Sequence, residues 1–183
     1  MLEAAHDLFT ANGWAATGMR DIASSAGVAL ETVYSHFSSK RGVLSAVVDA
    51  AVAGDDAPIA LAERSEFLAM GHGRRPARIR AGARLLTALY GRTAPIDRLL
   101  RQAAQAEKDI AELLSLAHEL QRRDVAAAFE LMVGRPPSTV ERDGTWVIAS
   151  PEVYLLLIDE CGWTPEQYEE WVAQTMERAL PRS

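Results

Sequence analysis

Helical periodicity runs through this sequence from end to end, and it constrains the fold more than any other feature. Leu2, Ala5, Leu8 and Phe9 recur at the spacing of one helix face, and Gly13 follows as a stop. Thr17 can cap a second helix carrying Met19, Ile22, Ala23 and Ala26, which Gly27 ends. A short helix over roughly 30–37 turns Val33 and Phe37 inward. Lys40 opens another, with Val43, Leu44 and Val47 on one face, fading near Gly54-Asp55-Asp56. Residues 55–75 hold Pro58, Gly71 and Gly73 and read as a loop with one helical turn around Phe67. The natural division is therefore 1–50 and 51–183. Pro76 suits the first turn of a helix through Tyr90, and Pro95 can start a second, shorter one. Residues 106–133 form a long amphipathic helix on Ile110, Leu113, Leu114, Ala117, Leu120, Phe129 and Met132, stopped by Gly134-Arg135-Pro136-Pro137. Ser138-x-x-Glu141 and Thr164-Pro165-Glu166-Gln167 are capping boxes, and Pro151 breaks the segment between them after Ser150. No strand alternation or internal repeat interrupts the pattern, so the fold is all-α.

Composition narrows the function classes. The chain has 183 residues, of which 49% are hydrophobic, and a formal net charge of −6. That is a globular composition with an ample core. A single cysteine excludes a disulfide framework within the chain and a cysteine-based zinc site. No apolar run reaches the roughly 18 residues of a membrane span. Met1 leads straight into an amphipathic stretch with no signal peptide, so a cytoplasmic protein is expected. The acidic balance weighs against nucleic acid, whose phosphates dominate binding. It is uneven, however. Residues 1–50 carry three basic and five acidic side chains, residues 51–100 eight and five, and residues 101–183 eight and fifteen. Most of the acid lies in the last block.

Ala23, Gly27 and Val33 have the spacing of a helix-turn-helix. A steep helix crossing needs a small residue at the contact, the turn needs the positive φ that glycine adopts freely, and Val33 turns the second helix onto the first. Ile22, Val28 and Phe37 complete a small core. Any short helical hairpin can also satisfy that spacing. The flanking residues are more specific. Phe9…Gly13, Ala16-Thr17-Gly18-Met19-Arg20-Asp21-Ile22-Ala23, Ala26-Gly27-Val28, Thr32-Val33-Tyr34-Ser35-His36-Phe37 and Ser39-Lys40 closely resemble the N-terminal domain of the tetracycline-repressor (TetR) family of bacterial transcription regulators. The resemblance covers roughly residues 2–50. More weakly, Trp146…Ser150-Pro151-Glu152-Val153-Tyr154…Gly162-Trp163…Tyr168…Trp171 is similar to the C-terminal end of many such regulators.

The resemblance implies a homodimer of all-helical subunits. Each has a three-helix helix-turn-helix DNA-binding domain and a C-terminal ligand-binding and dimerisation domain. Carried over position by position, it puts Thr17 at the N-terminus of the second helix. There its hydroxyl and nearby N–H groups can hold a phosphate, although a plain N-cap fits equally. Arg20 becomes a phosphate partner or a member of an ion pair. Leu30, Glu31 and Thr32 open the recognition helix, where Thr32 can meet a thymine methyl or a phosphate and Glu31 a cytosine amino group. Tyr34 and His36 match phosphate donors, and Lys40 a basic residue near the DNA backbone. Two departures follow. Ala29 stands where many members have a capping serine, worth about 1 kcal/mol. The basic arm that usually precedes the residue matching Leu2 is absent from this sequence: either the start is trimmed or misassigned, or DNA affinity is reduced and the salt slope shallower.

For the C-terminal part, the resemblance implies a dimer interface at Tyr154, Leu155, Ile158, Trp163 and Trp171; Leu155 to Ile158 is apolar around the whole helix, a pattern that a thick monomer core also fits. Tyr90, His118, Phe129, Met132 and Trp146 are the expected lining of an effector pocket, although each also fits a simple core role. His118-Glu119 has no second histidine at ligand spacing, so no metal and no cofactor are expected. The expected function is a ligand-responsive regulator, a repressor that binds a palindromic double-stranded DNA operator with recognition helices roughly 34–36 Å apart; activation, or regulation without a ligand, is equally compatible with the sequence. The expected effector is a small molecule, and no membrane contact is expected. Two other classes compete: a helical scaffold of the same fold with weak or lost DNA binding, and an all-helical enzyme. No nucleophile–base or paired-carboxylate constellation supports the enzyme.

Overall fold

The computed structural model describes residues 1–54 and 59–181. Among these, every regular element is helical: α1 (Leu2–Asn12), α2 (Met19–Ser25), α3 (Leu30–His36), α4 (Lys40–Ala53), α5 (Ser65–Leu68), α6 (Arg75–Ala104), α7 (Lys108–Val133), α8 (Thr139–Ile148), α9 (Pro151–Leu155) and α10 (Pro165–Ala179). Single 3₁₀ turns, Leu61–Glu63 and Ala69–Gly71, flank α5, and a π-helical turn, Leu156–Glu160, continues α9. No helix among the described residues is long and apolar enough to cross a membrane.

The chain forms two compact units, and neither is contiguous. The first joins Met1–Asp56 to Pro95–Leu116; the second joins Ala57–Ala94 to Ala117–Ser183. A division at residue 50 along the chain does not capture this, because α6 and α7 each contribute one end to each unit. The sequence pattern splits α6 at Pro95, but the structure has a single helix through it. Pro95 costs one intrahelical bond. Its ring lies on the exposed side, while Ile96, Leu99, Leu100 and Ala103 beyond it are buried in the first unit's core. That burial outweighs the local break.

In the first unit, α1 packs against α4 and α2, and α2 against α3. Ala5, Phe9, Ile22, Ala23, Val33, Val43, Leu44 and Val47 form the centre of its core. The turn between α2 and α3 closes as the spacing requires. Gly27 takes φ +66°, and the Val28 N–H donates to Ala23 O at 3.0 Å, tying the end of α2 to the start of the turn. Val28 and Phe37 pack partly buried on this core.

The second unit's core runs through Ile79, Ala83, Tyr90, Val125, Phe129, Met132, Tyr154, Tyr168, Val172 and Met176. Its helix starts are chemically explicit. Ser138 Oγ accepts from the Glu141 N–H while the Glu141 carboxylate accepts from the Ser138 N–H at 2.8 Å, and Thr164 and Gln167 repeat the arrangement. Arg135 then grips the Glu141 carboxylate with both ends of its guanidinium, at 2.9 and 2.6 Å. This fork and the cap hold Glu141 at a pKa of about 2. Ser150 caps α9, with Pro151 as its first residue.

Candidate functional site

Helix α3, the expected recognition helix, offers its outer face from a fixed base. Val33 is fully buried and Leu30 partly buried against the first unit's core, which turns Glu31 and Tyr34 to solvent. Tyr34 is 52% exposed, and Thr32 is half-buried beside it. Ala29 holds the N-cap position with extended backbone and makes no side-chain bond, so α3 starts uncapped.

Hydrogen-bond bookkeeping sorts the expected phosphate contacts. A phosphate only accepts, so a protein group can bind it only with a donor to spare. Thr17 has none. It is 1% exposed, and its single hydroxyl proton is shared between Leu8 O at 3.1 Å and Gly13 O at 2.9 Å. It does not cap α2 either. The N-cap is Gly18, whose N–H donates to the Asp21 carboxylate at 2.7 Å. The Thr17 hydroxyl thus faces inward and ties the end of α1 to the start of α2. Arg20 is exposed, and its guanidinium carries five donors. Tyr34 has its phenol at the surface.

His36 is a conditional donor. Ser35 Oγ donates its proton to Thr32 O at 2.8 Å, and His36 Nδ1 lies 2.8 Å from the same carbonyl and 3.1 Å from Ser35 Oγ. Both can only accept, so Nδ1 carries the hydrogen. Nε2 of the neutral ring is then an acceptor, and it donates to a phosphate only as imidazolium.

Lys40 is partly engaged. Its ammonium donates to Trp14 O at 2.8 Å and lies 4.0 Å from the Trp14 ring centroid, which itself stacks on Phe9 at 5.8 Å. Burial lowers its pKa, with Glu107 opposing. One of three N–H donors is used, and two remain. The sequence offers no local sign of this contact, because Trp14 and Lys40 are 26 residues apart.

In the second unit, Gln121 links two of the five expected pocket residues, Tyr90 and Trp146. Gln121 accepts from the Trp146 Nε1–H at 2.9 Å and donates to the Tyr90 hydroxyl at 2.8 Å. Tyr90 in turn donates to Ala149 O. His118 stands edge-on to Trp146, 6.0 Å between centroids, and Arg122 lies 4.3 Å over the same ring. Phe129 and Met132 are buried in the same core cluster as Tyr90, without a hydrogen bond to this relay. The Gln121–Tyr90–Trp146 relay has its donors and acceptors matched, so it fixes α7 against α6 and α8.

Of the expected interface residues, Tyr154 is buried in its own unit's core. Leu155, Ile158, Trp163 and Trp171 are half-buried, and Trp163 and Trp171 meet edge-to-face at 6.2 Å. The apolar side chains that face solvent there are others: Val140 at 82%, Val147 at 55% and Leu156 at 55% exposed. The described residues contain no cluster of three or more groups able to hold a metal ion.

Comparison with known proteins places this geometry. Residues 1–47 match the family model described as bacterial regulatory proteins, tetR family. No curated protein matches the sequence. Solved structures match over nearly the whole chain. One, described as a putative TetR-family transcriptional regulator from Rhodococcus sp., is 15% identical with a TM-score of 0.73, covering 98% of this chain and 96% of that one. A TetR-family member from Streptomyces coelicolor A3 is 16% identical with a TM-score of 0.67, covering 98% and 95%. The multidrug binding protein EbrR, complexed with imidazole, is 17% identical with a TM-score of 0.61, covering 100% and 88%.

Proposed function

We propose that this chain, whose N-terminal domain is that of the tetR family and whose full length takes the fold of tetR-family regulators, is a DNA-binding repressor released by a small molecule. It binds a palindromic operator as a homodimer, with α3 in the major groove. The observation that carries this reading is the outward face of α3. Glu31 and Tyr34 stand exposed on a helix whose opposite side, Val33, is fully buried, with Arg20 exposed on the preceding helix. A fixed helix with polar side chains facing out is what base-edge readout requires.

Dimerisation is supported by the exposed Val140, Val147 and Leu156 and the half-buried Trp163 and Trp171, apolar side chains that a partner would cover. An effector in the second unit is supported by the aromatic side chains gathered there, and by EbrR, a protein of similar fold solved with imidazole. The ligand acts by preferring the conformation that does not fit DNA, and it shifts the equilibrium only by that difference in affinity.

A second reading, a helical scaffold without DNA binding, is favoured by the net charge of −2 over residues 1–50 and by Lys40 being tied to Trp14. A gel shift with the DNA upstream of the chain's own coding region, run with sedimentation to give the oligomeric state, separates the two. Sequence-preferring, salt-sensitive binding by a dimer supports the regulator. Binding that ignores sequence, or none, supports the scaffold.

A further inference from the structure

We propose that Tyr154 and Tyr168 form the polar end of a binding site for an uncharged molecule bearing a carbonyl-type oxygen, reached past the bare backbone of Gly91. The proposal rests on the reading that the second unit holds an effector, and it names the chemistry of that site. Three tyrosines lie in series: Tyr90 and Tyr154 have ring centroids 5.9 Å apart, and Tyr154 and Tyr168 meet edge-to-face at 4.8 Å. They differ in how their hydroxyls are satisfied. The Tyr90 hydroxyl is matched on both sides, accepting from Gln121 and donating to Ala149 O. The Tyr168 hydroxyl is not: the residue is 0% exposed, and its oxygen has no hydrogen-bond partner among the described residues. Burying a phenol O–H without an acceptor forfeits its hydration with no return, so native proteins leave such groups unmatched at few places, and ligand sites are among them.

The position of Tyr154 gives the site a mouth. A Cβ built on Gly91 would lie 3.8 Å from the Tyr154 hydroxyl, with no other side chain and no backbone outside the helix within 4 Å. Gly91 is itself exposed on α6. The glycine therefore leaves the Tyr154 hydroxyl close to exposed backbone, and the Tyr154 ring in turn meets the buried Tyr168 ring.

The ligand class follows from the donors. Burial raises the pKa of both phenols, and Asp159 adds to the effect at Tyr154 and Tyr154 at Tyr168, so both remain protonated and donate. Two neutral phenols carry no positive charge that would repay the desolvation of an anion. Neither phenol is a carboxylate that would repay the desolvation of a cation. A neutral ketone, ester or amide oxygen on a flat apolar body suits two phenol donors set among aromatic rings.

The test uses the full chain and three probes of similar shape: acetophenone (neutral acceptor), benzoate (anion) and benzylamine (cation), titrated by protein-observed NMR. Acetophenone should bind saturably, and Tyr168→Phe, which keeps the ring and the fold, should weaken it at least tenfold. Gly91→Val, which narrows the mouth, should weaken it as well. Benzoate and benzylamine should not compete. Equal acetophenone affinity in wild type and Tyr168→Phe overturns the proposal, as does tighter binding of either charged probe. A gel shift with acetophenone present reads the effector role separately. Binding at the tyrosines with unchanged operator affinity keeps the site and removes its role as an effector switch.

Discussion

Replacing Thr17 with valine tests the inward bonding that the structure gives this side chain. Valine keeps the shape and removes the hydroxyl. The loss is one shared hydrogen bond, leaving Leu8 O and Gly13 O, which it now ties together at 3.1 and 2.9 Å, without that donor. Thr17 is 1% exposed, so little water can replace the donor. A net hydrogen bond is worth about 0.5–1.5 kcal/mol, and an acceptor left unmatched in the interior costs about 1–3 kcal/mol. The added methyl burial returns up to about 0.8 kcal/mol. The expected result is destabilisation by about 1–2 kcal/mol, or a fall of about 2–8 °C in Tm for a chain of this size. Urea unfolding followed by circular dichroism measures it, with Thr17→Ser as the control that keeps the donor. The second arm is the salt dependence of DNA binding. A hydroxyl whose proton is already committed makes no phosphate contact, so the slope of log K against log salt should match wild type. Unchanged stability together with a shallower slope would refute the inward assignment and restore Thr17 as a phosphate ligand.

Three further outcomes follow from the same geometry. Ala29→Ser should cap α3 at a position whose backbone is already extended (φ −68°, ψ 148°), raising stability by about 1 kcal/mol in denaturant melts and tightening DNA binding. Arg20→Ala should weaken binding on every DNA sequence alike and flatten the salt slope by about 1.8, about 0.9 for each protomer of the dimer, read by fluorescence anisotropy. The Arg135–Glu141 fork predicts an acid-labile start to α8. Glu141 titrates at about 2 in the folded chain against an ordinary value of 4.5, so its contribution is complete above about pH 4.5 and is lost as pH falls towards 2. Arg135→Met should remove most of that pH dependence, measured as Tm against pH.

What the sequence made legible was what short-range rules govern. The capping boxes at Ser138 and Thr164, the glycine turn after α2 and the break at Pro151 are each decided by residues within one turn of each other, and each formed as its pattern requires. Pro95 misled because a local rule met a tertiary reward, the burial of Ile96, Leu99 and Leu100. The two compact units could not be read along the chain, since α6 and α7 serve both. Of the site, the exposed face of α3 followed from the burial of Val33, but the partners of Thr17 and Lys40 did not, because Leu8 and Trp14 are brought to them by folding. Phe129 and Met132 fit a pocket lining and a core equally by type, and they share the core cluster of Tyr90. Gln121 is a polar residue on an apolar stripe. Its signal was positional: it sits one turn after Ala117 on the half-buried side of α7.

The claim on which the account rests is that α3 reads DNA. Fluorescence anisotropy of the full chain on the DNA upstream of its own coding region, against a scrambled duplex of equal length across a salt series, measures it most directly. The account predicts preference for the native sequence, weakening steeply with salt, and loss of that preference in Glu31→Ala with the salt slope retained. Equal affinity for the two duplexes, or a preference that survives Glu31→Ala and Tyr34→Ala together, would contradict it.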